Sequence, residues 1–149
     1  MVNDIITGVF KRINEVFEDE CGIYTEHATQ SLKEPYFYIA CLNSVDRPMS
    51  GKRHLRVNVF SVKYFPKSKT EPNAECNTVS DNLFLALEYI TVKGALVQGT
   101  NMNSKFVDGA LEFMVEYSLF VQAVLENEPM ETLTLTNSVK RGGESNGKT

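Results

Sequence analysis

Two histidines, three cysteines and two glutamates four residues apart are the side chains of this 149-residue chain whose types could do chemistry. A histidine can serve as a general base if a partner orients it and a nucleophile lies within reach. His27 has Glu26 beside it, but neighbours on an extended chain point to opposite faces. His54 stands among Lys52, Arg53 and Arg56 and reads as part of an exposed basic segment. Glu112 and Glu116 share one strand face, as a paired-carboxylate site would need, and equally as a wet sheet face would have them. Cys21, Cys41 and Cys76 are widely spaced, odd in number and without a C-x-x-C pair. They read as three partly buried thiols in a reducing compartment rather than as zinc ligands. Ser50-Gly51-Lys52 looks like a scrap of a phosphate loop, but it lacks the upstream glycine and the strand-to-helix setting. Nucleotide-binding glycine patterns, G-x-S-x-G and H-E-x-x-H are all absent. No catalytic, cofactor-binding or metal-binding residue is therefore assigned, and no cofactor is called for.

Composition bounds the rest. The length is that of one domain with a core of its own. Hydrophobic residues make up 42% and charged residues 23%, ordinary for a soluble globular protein. A net charge of −4 argues against a protein that grips nucleic acid, although it leaves room for a local basic patch. No apolar run reaches membrane-spanning length and no signal peptide is visible, so no membrane partner is expected.

The elements that would position any site follow from periodicity. Val2, Ile5, Ile6, Val9, Ile13, Val16 and Phe17 recur at helical spacing, predicting a helix over 2–19 capped by Asn3 and stopped by Gly22. A short strand is expected within 23–29, and a longer one over 36–42 after Pro35. Residues 43–53, NSVDRPMSGKR, hold Pro, Gly, Ser and Asn and read as a mobile loop. A second long strand covers 55–65. Leu55, Val57 and Val59 lie on one side of it, then Phe60, Val62 and Tyr64 on the other, as a bulge or a doubly covered strand would give. Pro72 suits helix entry behind Thr70 or Glu71. Cys76, Val79, Leu83, Ala86, Leu87 and Ile90 then make a stripe of about five turns. Phe84 and Leu85 lie off that stripe, either widening the buried face or meeting another subunit.

Asp108-Gly109 is the strongest local signal, because a type I′ turn needs φ > 0 at both central residues. Folded there, Phe106 meets Leu111, Met102 meets Val115, Thr100 meets Tyr117 and Leu96 meets Val121. On the other face Lys105 meets Glu112, Asn103 meets Met114 and Asn101 meets Glu116. One face is apolar and the other polar, as a half-buried antiparallel hairpin requires. The order is α-β-β-β-α-β-β: an α+β fold, two helices packed on one face of a mostly antiparallel sheet. Residues 1–125 form this single domain. Residues 126–149 form an extension, with a short edge strand at METLTLT and then a tail, 140–149, too polar to order itself. The cluster Arg47, Lys52, Arg53 and Arg56, near Tyr64 and Phe65, reads as a solvated loop, a protein interface or a nucleic-acid patch.

The stretches FVDGALEFMVEYSLFV and LRVNVFSVKYFP, with IYTEHATQSLKEPYFYI after the first helix, resemble the tail terminator (tail completion) proteins of phages with Gram-positive hosts. The carrying residues are Asp108-Gly109 leading to Tyr117 and Phe120, and Tyr64-Phe65-Pro66; the likeness spans about residues 2–125. It implies a structural virion protein, not an enzyme. Such a protein closes as a homo-hexameric ring over the last ring of the tail tube, ends tube polymerisation and presents a surface for head joining. The implied partners are further copies of the chain, the tail tube protein and the head–tail connector. DNA would pass through the ring without specific binding, which a mildly acidic protein suits. Assembly would take place in the host cytoplasm and the product would sit in the virion tail. Another head–tail joining or tail tube protein is the alternative, and a small-ligand module or enzyme a more distant one. The residues expected at the subunit or tube interface are Arg47, Met49, Lys52, Arg53, Arg56, Phe60, Tyr64, Phe84 and Leu85, with 43–53 as an arm that orders on assembly.

Overall fold

A computed structural model describes residues 1–18, 21–26, 33–125 and 131–136, the last segment and 123–125 as backbone only. His27, the acidic pair Asp19-Glu20 and the 140–149 tail lie outside the described residues. The elements run α1 (Val2–Phe17), β1 (Gly22–Tyr24), β2 (Tyr36–Pro48), β3 (Arg53–Phe65), α2 (Pro72–Ala86), β4 (Tyr89–Val92), β5 (Ala95–Val107), β6 (Ala110–Leu125) and β7 (Glu131–Thr136). The sheet order is β1-β2-β3-β6-β5-β4, with β7 also on β6. Among the described residues only the three-residue β1–β2 pairing is parallel. The chain is α+β, as its patterning predicts.

Both helices lie on one face. Alternate residues of the long strands (Phe37 and Ile39, Phe60, Val62 and Tyr64, Phe113, Val115 and Tyr117) join Ile5, Val9, Ile13, Val79 and Leu83 in one buried cluster. Phe17 packs on Phe37 at 5.0 Å between ring centroids, and Phe84 meets Phe113 edge-on at 5.0 Å. Both helices differ from expectation at their ends. Val2 already lies in α1 behind Met1, so Asn3 is inside the helix, and α1 ends at Glu18, whose left-handed backbone (φ 53°) stops it before Gly22. α2 ends at Ala86, and Ile90 belongs to β4, where Tyr-Ile-Thr-Val favours extended chain.

The turn at Asp108 (φ 54°) and Gly109 (φ 78°) forms as expected. Lys105 opposes Glu112, Asn103 opposes Met114 and Phe106 opposes Leu111. The register shifts between Thr100 and Asn103, so Gly99, not Thr100, faces Tyr117, and residues 95–98 leave β6 to pair with β4. Leu96 therefore opposes Thr91 rather than Val121. Gly99 is required there: its N–H donates to the Glu88 carbonyl at 2.7 Å, and an added Cβ would stand 2.6 Å from the Leu87 carbonyl oxygen and 2.9 Å from Val115. The Gly99→Ala variant is expected to lose about 1–3 kcal/mol, because the obstacle is backbone and cannot swing away. Thermal unfolding followed by circular dichroism checks this.

The largest departure is residues 43–53. They form no mobile loop: β2 runs on to Pro48, β3 begins at Arg53, and only 49–52 turn, with Gly51 at φ 72°. Nor is there a bulge in β3, whose pairing with β6 is unbroken from Arg53 to Tyr64; the shift lies in β2, between Cys41 and Asn43. β3 is not covered on both faces either. The helices cover Phe60, Val62 and Tyr64, while Leu55, Val57 and Val59 are half-buried on the opposite face. The far halves of β2, β3 and β6, with β7, form an arm beyond the helices.

Candidate assembly surface

Polar contacts across the strands make the arm a defined object. Asn58, 1% exposed, accepts a hydrogen bond from the Ser44 hydroxyl at 2.8 Å and donates through Nδ2 to the Tyr117 carbonyl at 3.3 Å. Further out, Asp46 accepts from Arg56 Nε at 2.6 Å and pairs with His54 Nδ1 at 2.8 Å. Those bonds, Arg56's first and then His54's, hold the Asp46 carboxyl below the usual carboxylate range. The Arg53 guanidinium sits 4.3 Å from the centroid of the Phe120 ring. Leu42, Val45 and Met49 are exposed apolar side chains of the same arm. Residues 43–56 carry four cations (Arg47, Lys52, Arg53 and Arg56) against one carboxylate, Asp46. Of the chain's 15 Lys/Arg and 19 Asp/Glu, that leaves 11 against 18 for the remainder. A basic arm therefore projects from an acidic body.

The residues that could do chemistry do not converge. His54 has an orienting carboxylate in Asp46, but Arg56 takes the other oxygen, and no nucleophile bonds to the ring among the described contacts. Glu112 lies 4.0 Å from Lys105 Nζ, and Glu116 accepts from Asn101 Nδ2 at 3.0 Å. The two are four residues apart on one strand, about 13 Å, too far to share a proton or a reacting atom. No disulfide links Cys21, Cys41 and Cys76 to one another, and burial pushes the Cys76 thiol up. Among the described residues no group of three metal-ligating side chains converges. Ser50-Gly51-Lys52 forms the hairpin turn and precedes a strand, not a helix.

The residues expected at an interface divide. Arg47, Met49, Lys52 and Arg53 are exposed on the arm, and Arg56 is tied to Asp46. Leu85, at 73%, is exposed on α2, whereas its neighbour Phe84 turns inward onto Phe113. Phe60 and Tyr64, at 0% and 4% exposed, belong to the core of the single chain and present no surface. The Tyr64 hydroxyl instead donates to Glu75 Oε2 at 2.5 Å, where Glu75 also accepts from the Lys67 and Ser68 backbone N–H groups, each at 2.8 Å. Partial burial works to raise the Glu75 carboxyl, but these three bonds outweigh it and set the group below its ordinary value of 4.5. A carboxyl depressed on folding stabilises fully above its unfolded value, and the contribution is lost as pH falls through the folded one. Glu75→Gln is thus expected to cost about 1–2 kcal/mol at neutral pH, with the gap to wild type closing in acid below 4.5; urea titrations at several pH values check it. Sequence patterning missed Asp46, Ser44 and Asn58 as the arm's fasteners. Alternating apolar residues mark none of them.

The profile of the Phage tail terminator protein family matches residues 4–129. This chain belongs to the phage tail terminator family. Membership makes it a structural protein of phage tail assembly, placed in the virion tail among other tail components. The match takes in α1 from Asp4 onward, the whole hairpin β2–β3, and β6 to its end. No curated protein matches the chain. Eleven chains of solved structures match; one of them is 13% identical over 86% of this chain and 99% of its own, with a TM-score of 0.42.

Proposed function

We propose that this tail terminator closes into a ring of six copies that caps the tail tube, halts its polymerisation and offers the head connector a seat. One observation supports this beyond family membership: among the described residues no helix covers the second face of the sheet, where exposed Val45 adjoins half-buried Leu55, Val57 and Val59 and the face runs on into a projecting arm. A partly exposed apolar row of that kind suits a protein contact. Subunit and tube contacts run through Arg47, Met49, Lys52 and Arg53 on the arm and Leu85 on α2, and the buried Phe60 and Tyr64, with the half-buried Phe84, support them from beneath. Phage DNA crosses the ring without specific binding, as an acidic body favours. Assembly takes place in the host cytoplasm before the head joins.

The test is to polymerise the cognate tube protein with and without the chain and to image the products. Capping predicts shorter tubes with a collar at one end. Unshortened, collarless tubes overturn the reading, and decoration along the full length would mark a tube subunit instead.

A further inference from the structure

The geometry points to a specific head-to-tail contact, in which the arm of one copy docks on the shoulder of the next where α2 hands over to β4. This rests on the ring reading above. The arm reaches about 20 Å past the β2 irregularity, six residues of strand from Asn43 to Pro48. It ends in exposed Val45 and Met49, ringed by Arg47 and Lys52. The shoulder has the complementary character. Leu85 is the most exposed large apolar side chain among the described residues, and Tyr89 and Leu96 are exposed in the adjoining β4–β5 ribbon. Tyr89 and Thr91 alternate onto one face, and Leu96, opposite Thr91, lies on it too. Acidic residues flank Leu85: Asp81 lies one helical turn before it, and Glu88 follows three residues later, between α2 and Tyr89.

Charge selects the occupant. Two arms brought together would oppose cation to cation, so a two-fold arm-to-arm contact is disfavoured, whereas arm on shoulder sets basic against acidic around an apolar centre. The two patches are different surfaces of one chain, which makes the contact heterologous, the kind that closes into rings. The β3 and β6 ladders continue into the arm, so it meets its partner already ordered.

Cross-linking tests this directly. Met49→Cys and Leu85→Cys are placed together in a Cys21→Ser/Cys41→Ser background, oxidised and run without reductant, with circular dichroism confirming the fold. The expected result is a ladder of covalent multimers with both cysteines and none with either alone. Dimers from Met49→Cys alone would mean arm on arm and overturn the proposal. Intact rings by native mass measurement with no ladder overturn this contact and leave the ring standing. Monomer at every concentration, with and without tube protein, takes the ring reading down as well.

Charge reversal is the second arm of the experiment. Arg47→Glu/Lys52→Glu, or Asp81→Lys/Glu88→Lys, is expected to raise the concentration for half-assembly about tenfold or more, and combining all four in one chain to restore it to within about threefold. Failure of the combined variant to recover counts against the pairing. A labelled DNA duplex that binds wild type but not Arg47→Glu/Lys52→Glu, with assembly unchanged, would give the arm to nucleic acid and overturn the contact.

Discussion

Tyr117→Ala is expected to lose about 3–5 kcal/mol, a large share of the stability of a small domain. Tyr117 is 0% exposed and is among the largest fully buried side chains of the chain. Its ring lies 6.1 Å from that of Phe60, and its hydroxyl donates to the Leu87 carbonyl at 2.7 Å. Burial pushes the phenol far above its ordinary value, so it stays a donor across the accessible pH range. Alanine would leave a cavity at the meeting point of β6, the end of α2 and the β5 irregularity. It would also strand the Leu87 carbonyl, the same oxygen that forbids a side chain at Gly99. Tyr117→Phe separates the two effects: it keeps the ring, loses the bond, and is expected to cost about 1–3 kcal/mol. Urea titration followed by circular dichroism measures both. A phenylalanine variant as stable as wild type would show that the Leu87 bond contributes nothing.

Asn58→Asp is expected to cost about 3 kcal/mol or more at neutral pH, and to recover in acid. The side-chain amide donates inward to the Tyr117 carbonyl and accepts from Ser44, two bonds at the root of the arm. An aspartate there faces a carbonyl oxygen with no proton to offer, in a site 1% exposed. Burial would raise the folded pKa of that carboxyl above its unfolded value. The penalty is then full above the folded pKa and shrinks as pH falls through it, because the neutral acid can donate where the amide did. The gap to wild type thus closes in acid for Asn58→Asp and for Glu75→Gln alike, but from opposite sides: here the variant sheds its penalty, whereas there the wild type loses the Glu75 contribution. A gap to wild type that widens in acid would contradict this placement of Asn58.

Much of this architecture is written in local pattern. Asp108-Gly109 declares itself because left-handed backbone at two successive residues suits few side chains, and alternation then assigns both faces of the hairpin as far as Asn103. Pattern fails where long-range contacts decide. NSVDRPMSGKR has the residues of a loop, yet Ser44–Asn58 and Asp46–Arg56 fasten it across the hairpin into strands. Pro48 is tolerated because it ends β2, and the bond that closes the hairpin comes from the next residue, the Met49 N–H donating to the Arg53 carbonyl at 2.9 Å. The irregularity near Asn101 depends on how closely Gly99 approaches Leu87, which no spacing announces. The surface was half legible. The cations and Met49 stand out by type, but Phe60 and Tyr64 point to the helix side, a matter of strand phase relative to α1 and α2. Phe84 and Leu85, adjacent and equally off the stripe, split one inward and one outward.

β6 spans 16 residues, about 54 Å, and its pairing with β3 runs without interruption from the helix-covered half to the far end. On its other flank β5 serves it up to Tyr117 and β7 takes over from Phe120. The joint between those two flanking strands is thus splinted by unbroken ladder opposite. Mechanically the pair β3–β6 is a beam rather than a hinge. A load applied at the turn around Gly51 would be transmitted to the packing under Phe113 and Phe84 instead of being absorbed by bending, so the two ends of the molecule should tilt together as one lever.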